Sequence, residues 1–155
     1  MQELADLLAR EHVQLEFLLF KTIELHQLLR AGETRFLRWA ASELSRAAER
    51  VRECEERRNE LVAQHCAAAG IPAALTELTE HADEPWRTIF SDHSRDLAQL
   101  VIEVDSNRQA AREIAIASGH SISAVLDQLY RPMASSLPGQ RRRTRLAPVV
   151  LPDSL

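Results

Sequence analysis

The chain has 155 residues, four glycines, 5% aromatic residues and a formal net charge of −4. This length suffices for one domain with a hydrophobic core, and scarce glycine beside abundant Ala, Leu, Glu and Arg is typical of long helices rather than of sheets. No basic region precedes the first apolar residues, and the longest run of large apolar residues, FLLF, is far shorter than the roughly 20 residues of a membrane span. We therefore expect an all-α, cytoplasmic protein.

The first long helix is predicted over residues 3–30, with Gly32 supplying the left-handed position after its end. Steps of four and three residues place one seam on a single face: Leu4, Leu8, Glu11, Leu15, Leu18, Thr22, Leu25 and Leu29. Five further apolar residues lie on the shoulders of that face: Phe17, Leu19, Phe20, Ile23 and Leu28. We expect such shoulders to pack on the third long helix, and any surplus to be covered by a short last helix or by a partner.

The second long helix is predicted from about Thr34 to Gly70, and a tight two-residue turn before it makes the first two helices antiparallel. Its seam is rich in small residues, which would allow close approach of the first helix: Leu37, Ala40, Leu44, Ala47, Val51, Cys54, Arg58, Leu61, His65 and Ala68. Cys54 and Cys66 are twelve residues apart on this helix, roughly 18 Å, too far for a disulfide. We expect two buried thiols.

The third long helix, from about Trp86 to Ser118, follows a link that can hold one short helical turn around Leu75 and Leu78. Pro85 is suited to its first position because proline has no backbone N–H. The predicted seam is Trp86, Phe90, His93, Leu97, Leu100, Val104, Asn107, Ala111 and Ile114. Asn107, with Arg108 beside it and Val104 one turn earlier, either fixes the register of a groove between helices or is an amide at a half-exposed seam position.

A short last helix is predicted within residues 121–130, where Ile122, Val125, Leu126 and Leu129 form an apolar stripe. From Arg131 the chain contains four prolines and the basic run RRRTR, so we expect a helical domain over 1–130 and a mobile tail over 131–155. The predicted fold of the domain is an elongated antiparallel bundle of three long helices with a short fourth helix. Five of the 19 basic residues but only one of the 23 acidic residues lie in that tail, which gives it +4 and the domain −8. The basic run is interpreted as a solvated tail or as a contact for nucleic acid or anionic lipid, the former being favoured by the acidic domain.

Motifs for catalysis or cofactor binding are absent from the sequence. Only His12 among six histidines has a glutamate four residues later, and no ExxH occurs, which argues against the di-iron sites of helical bundles. There is no Gly-rich phosphate loop, GxSxG or CxxC. We therefore expect no metal, no cofactor and no enzymatic activity.

Several segments in fixed order resemble a known family. They are EHVQLEFLLFK, LLRAGETRFLRWA, ELSRAAERVRECE, the AGIP at the end of the second helix, the EPW before the third, and the NR step within it. Over residues 4–130 the chain resembles the FlgN family of flagellar type III export chaperones, particularly its actinobacterial members.

The resemblance implies a chaperone, a monomer or small homo-oligomer, that binds the C-terminal helical region of hook-associated (hook–filament junction) proteins. Its C-terminal part would bind the client through Ile122, Val125, Leu126 and Leu129, and Tyr130, the single tyrosine, would dock at the membrane export gate. Pro132 departs from the family pattern because it shortens this helix. Neither nucleic acid nor a small-molecule substrate is implied. The alternative is a structural or regulatory helical bundle that self-associates through the same seams.

Overall fold

A computed structural model describes residues 1–119 and Leu126, and it confirms an all-α bundle with three long helices. The elements are α1 (Gln2–Arg30), a short 3-10 helix (Thr34–Phe36), α2 (Leu37–Ala69), α3 (Leu75–His81) and α4 (Trp86–Ala117). The turn predicted in the link is α3, and the third long helix of the prediction is α4. No strand occurs among the described residues. The rest of the predicted last helix and the predicted tail over 131–155 lie outside them.

The helix α1 lies between α2 and α4, and both pack along it. All eight predicted seam residues of α1 are buried, including the polar Glu11 and Thr22. Thr22 donates its hydroxyl hydrogen to the backbone oxygen of Leu18 at 2.8 Å, so burial leaves its hydroxyl satisfied. The heptad-like pattern therefore predicted the main contact face of α1 residue by residue.

Contacts across the first two helices show that α1 and α2 are antiparallel. Along α1, residues 3, 17 and 21 contact residues 57, 50 and 43 of α2 in turn, through the pairs Glu3–Arg57, Phe17–Arg50 and Lys21–Glu43. The reversal occurs at Gly32, whose φ of 66° lies in the left-handed region that glycine adopts without strain. The antiparallel arrangement is confirmed, but the link is longer than the predicted two-residue turn, because the 3-10 helix Thr34–Phe36 precedes α2.

The buried face of α2 is wider than the predicted seam. Its first eight seam residues are buried, but a second stripe is buried as well, comprising Ala41, Ala48, Glu55 and Val62. Near the end of α2 the seam prediction is wrong, since His65 is half-buried, Ala68 is exposed and Cys66 is buried. The reason is a change of neighbour: Arg57 is already opposite Glu3 at the start of α1, and beyond it Cys66 donates its thiol hydrogen to the Ala74 oxygen, just before α3.

The helix α4 begins beside α3, at the end of the bundle where α2 finishes, and then packs along α1. It therefore runs in the same direction as α1. Four residues of its predicted seam are buried, and they follow one another at intervals of seven positions: Phe90, Leu97, Val104 and Ala111. The other five predicted seam residues are half-buried, whereas Val101 and Ala115 add to the core. Pro85 immediately precedes the first helical residue.

The shoulders of α1 are less covered than expected. Leu19 and Leu28 pack partly against the core, but Phe17, Phe20 and Ile23 are exposed, so the prediction that Phe17 and Phe20 pack on the third long helix is wrong. The physical reason is that, in the part of the chain that the structure describes, α1 has two long neighbours, which cover two of its sides and leave a third side open. No helix among the described residues has the length and apolar content needed to cross a membrane.

Candidate partner-binding surface

Two predicted site residues that are 18 positions apart in the sequence meet at α4. The guanidinium of Arg108 pairs with Asp105, one turn earlier, at 2.7 Å, and its Nη1 donates a hydrogen bond to the backbone oxygen of Leu126 at 3.3 Å. Leu126 has no exposed surface and belongs to the hydrophobic core. Gly119, with a φ of 69°, lies where α4 has ended. Leu126 therefore packs against the bundle, and Arg108 contacts its main chain.

The remaining predicted site residues divide into two groups. Val104 is buried in the core, and Asn107 is half-buried with its Nδ2 donating to the Glu103 oxygen of the same helix at 3.0 Å. A hydrogen bond within one helix does not by itself fix the register of two helices, so that role of Asn107 stays a prediction. The other residues predicted to bind a client or the export gate lie outside the described part of the chain: Ile122, Val125, Leu129 and Tyr130.

An exposed stripe on α4 lies beside the contact between Arg108 and Leu126. Alternating steps of three and four residues place its members on one side of the helix: Ile102, Asp105, Gln109, Arg112 and Ile116. Ile102 and Ile116, at its two ends, are 55% and 53% exposed, while Asp105 and Arg112 are half-buried between them. We name these five residues the α4 stripe. Two apolar ends separated by charged groups suit an amphipathic helix laid alongside.

A buried ion pair between α1 and α2 went unpredicted. Arg58 donates from Nη1 to Oε1 of Glu11 at 2.5 Å, and both side chains are almost completely inaccessible to solvent. The second oxygen, Oε2 of Glu11, is buried without a hydrogen-bond partner among the described residues. Burial raises the pKa of Glu11 to about 7, although the charge of Arg58 acts in the opposite direction.

The neighbouring Glu55 is also buried, and its pKa is raised for the same reason. The sequence carried a signal for this cluster, because Glu11 and Arg58 occupy seam positions with opposite charges on two helices predicted to be antiparallel. Two buried opposite charges on facing seams stabilise each other only when paired, so the pairing could have been inferred.

Groups that could hold a metal ion do not assemble in the described residues: no cluster of three or more His, Cys, Asp or Glu side chains occurs there. Cys54 and Cys66 are free, buried thiols, and burial raises the pKa of Cys54. His12 lies 3.8 Å from Glu16, the pair noted in the sequence.

Comparisons with protein-family models, with curated proteins and with solved structures found no match to this chain. The likeness to export chaperones therefore depends on its sequence segments alone.

Proposed function

We propose that the protein is a FlgN-type flagellar export chaperone that acts in the cytoplasm. It would bind the C-terminal helical region of hook-associated proteins, keep them soluble and deliver them to the export apparatus. The client class comes from the family resemblance. The structural observation that supports the proposal is the hydrogen bond from Arg108 to the main chain of Leu126, which lies beside a stripe of α4 with an exposed isoleucine at each end.

In this proposal α4 and the segment after Gly119 form one binding surface. Buried Leu126 would hold this segment on the bundle. The client helix would lie along the α4 stripe, with Ile122, Val125 and Leu129 supplying the rest of the apolar contact and Tyr130 left for the export gate. Burial of apolar surface, at about 25 cal/mol per Å², drives such binding and is offset by the ordering of the client.

The isoleucines at the two ends of the α4 stripe would select the client through its apolar side chains. Asp105 is bonded to Arg108, and Arg108 donates to the main-chain oxygen of Leu126, so these contacts hold the protein's own chain beside the stripe. The mode of binding needs no cofactor and no nucleotide.

The test measures binding of a peptide from the C-terminal region of a hook-associated protein to the full chain by isothermal titration calorimetry. Ile102→Asp and Ile116→Asp should each weaken binding at least tenfold, because a charge is placed where apolar surface must be buried. Val13→Asp on α1 is the matched control. Val13 is 56% exposed, close to the 55% of Ile102, but it lies on another helix. This variant should leave the affinity unchanged.

Unchanged binding by both isoleucine variants would contradict the assignment of the α4 stripe. The alternative, a self-associating structural or regulatory bundle, is favoured by the exposed rings on α1 and predicts a different outcome. In sedimentation experiments without client, such a protein would assemble further as its concentration rises, and the peptide would not bind.

A further inference from the structure

The side of α1 that faces away from the core carries two exposed aromatic rings. Phe17 and Phe20 are 38% and 56% exposed, with ring centroids 6.4 Å apart. The ammonium group of Lys21 lies 5.7 and 5.1 Å from the two centroids, and it is held there by hydrogen bonds to Glu24 at 2.8 Å and to Glu43 of α2 at 2.6 Å. The rings are therefore fixed within a network that joins both helices, and we name Phe17 and Phe20 the aromatic platform.

A basic groove between α1 and α2 continues from the aromatic platform. Its volume is about 490 Å³, and it is lined by Leu7, Arg10, Gln14, Arg50, Glu53, Cys54 and Arg57. Arg50 belongs to both features, because its guanidinium also lies 5.9 Å from the ring centroid of Phe17. The lining contains three arginines and one glutamate, although the whole chain carries a net charge of −4. The local charge is thus opposite in sign to that of the protein.

The arginines of the groove differ in how they are paired. Arg57 is bonded to Glu3 and to Glu60. Neither Arg10 nor Arg50 forms an ion pair with a carboxylate among residues 1–119. These two guanidinium groups are therefore available to carboxylates of another molecule, which they can bind through two parallel hydrogen bonds.

We propose that the aromatic platform and the basic groove together dock an acidic amphipathic helix of a partner protein. An apolar side chain of that helix would pack on Phe17 and Phe20, and its carboxylates would bind Arg10 and Arg50. Arg10 and Phe17 are two helical turns apart, about 10 Å, so the partner helix needs a carboxylate roughly seven residues from its apolar anchor.

Charge distinguishes this occupant from two others. A second copy of the chain would bring the same arginines to the same groove, and like charges would oppose association. The chain's own C-terminal segment contains RRRTR at residues 141–145, which carries the same sign as the groove. An acidic helix is the occupant whose charge complements Arg10 and Arg50.

This surface is separate from the one proposed for the client. It lies on α1 and α2, whereas the α4 stripe is on the helix that packs on the other side of α1. The partner is therefore a different molecule, and both surfaces can be occupied at once. The inference does not depend on the client being a flagellar protein.

The test uses two designed helical peptides of roughly 20 residues with the same leucine stripe, one flanked by glutamates and the other by lysines. Binding to the isotope-labelled full chain is followed by amide chemical shifts. The glutamate peptide should shift the amides of Phe17, Phe20 and Arg50 and bind at least tenfold more tightly than the lysine peptide. Its affinity should fall as salt is raised, because the contact includes exposed ion pairs.

Two pairs of variants test the contacts. Arg10→Glu with Arg50→Glu should reverse the preference between the two peptides, and Phe17→Ser with Phe20→Ser should weaken both peptides at least tenfold. Arg95→Glu on α4 and Phe36→Ser are the matched controls, an exposed arginine and an exposed aromatic residue outside the groove lining and the platform, and they should leave binding unchanged. Helicity by circular dichroism verifies that each variant is folded.

Any one of three results would overturn the proposal. These are equal binding of the two peptides, amide shifts on α4 instead of on α1 and α2, and self-association of the chain through Phe17 and Phe20 without any peptide. The last of these would identify a second copy as the occupant.

Discussion

The pair Glu11–Arg58 is the most constrained feature at the scale of single residues. Two charges buried between apolar seams lose their hydration, and their attraction compensates only when the geometry is good and hydrogen bonds are made. Within residues 1–119, one carboxylate oxygen of Glu11 is bonded to Arg58 and the other has no hydrogen-bond partner. A slip of α1 against α2 by one turn would separate the charges and leave both buried without a partner. The pair therefore favours a single register of the two helices.

The first prediction concerns the pH dependence of stability. Because the folded-state pKa of Glu11 is about 7, against an ordinary value of 4.5, the folded protein holds this proton more tightly than the unfolded chain does. The contribution of Glu11 to the free energy of unfolding therefore falls as pH rises from about 4.5 to about 7, by about 3 kcal/mol. Glu55 acts in the same direction. Urea unfolding at several pH values should show a shallower dependence over this window for Glu11→Gln.

The control for this measurement is Glu113→Gln, which removes an exposed carboxylate from α4 and should keep the wild-type pH dependence. If Glu11→Gln also kept the wild-type pH dependence of stability, the group that titrates between about pH 4.5 and pH 7 would be one other than Glu11.

Residue-scale features were predictable to different extents. The burial of Glu11 and Arg58 followed from the seams, because a period of three and four residues is a local property of the sequence. The exposure of Phe17 and Phe20 did not follow, because it depends on how many helices surround α1. The contact between Arg108 and Leu126 joins residues on either side of Gly119, and no local pattern specifies it.

At the scale of the helix, alanines of α2 set its distance from its neighbours. Ala40, Ala41, Ala47 and Ala48 are all buried, and leucines dominate the facing seam of α1. A leucine-rich face packs well against small residues because side chains from one helix fill the space that the other leaves. Adding side-chain volume at these alanines would push the helices apart.

The second prediction tests this packing with a matched pair of substitutions in α2. Ala47 is 1% exposed, whereas Ala63 of the same helix is exposed. Ala47→Leu should lower the free energy of unfolding by about 1–3 kcal/mol, since three more carbon atoms in a closely packed core force neighbouring side chains to shift. Ala63→Leu should change it by less than about 0.5 kcal/mol. Equal effects in urea unfolding would mean that the interface around Ala47 adjusts to the added volume.

Helix ends and helix faces also differed in how far sequence predicted them. The glycines at 32, 70 and 119 all have positive φ next to a helix end, so a residue with a strong conformational preference made the boundaries visible. The width of the buried face of α2 was missed because a heptad seam describes contact with one neighbour. Its last residues changed partner from α1 to α3, and a regular repeat cannot anticipate that change.

At the scale of the whole molecule, the central position of α1 gives the bundle two independent sides. The side formed by α4 carries exposed isoleucines and the contact to Leu126, and the side formed by α1 and α2 carries exposed rings and arginines. Two such surfaces on one bundle suit a protein that holds one molecule while it contacts another. That requirement agrees with the proposed role in delivery of a client.

The last prediction concerns the chain after residue 119. Its removal should leave α1, α2 and α4 folded, because the packing of these helices on one another supplies most of the described core. It should also lower the free energy of unfolding by about 2–3 kcal/mol, since Leu126 is fully buried and its site on the bundle would be vacated. Helicity per residue by circular dichroism and the cooperativity of urea unfolding should be retained, while binding of the client peptide should be lost.

Two companion variants separate the causes of these effects. Leu126→Asp in the full chain should abolish client binding and reduce stability, because it places a charge in the core. Deletion of residues 131–155 alone should change the free energy of unfolding by less than about 0.5 kcal/mol. The apolar residues of this predicted tail lack the spacing of a helix that packs on a core. A truncated chain that failed to fold would make the segment after Gly119 part of the core required for folding. A truncated chain that bound the client normally would place recognition within residues 1–119.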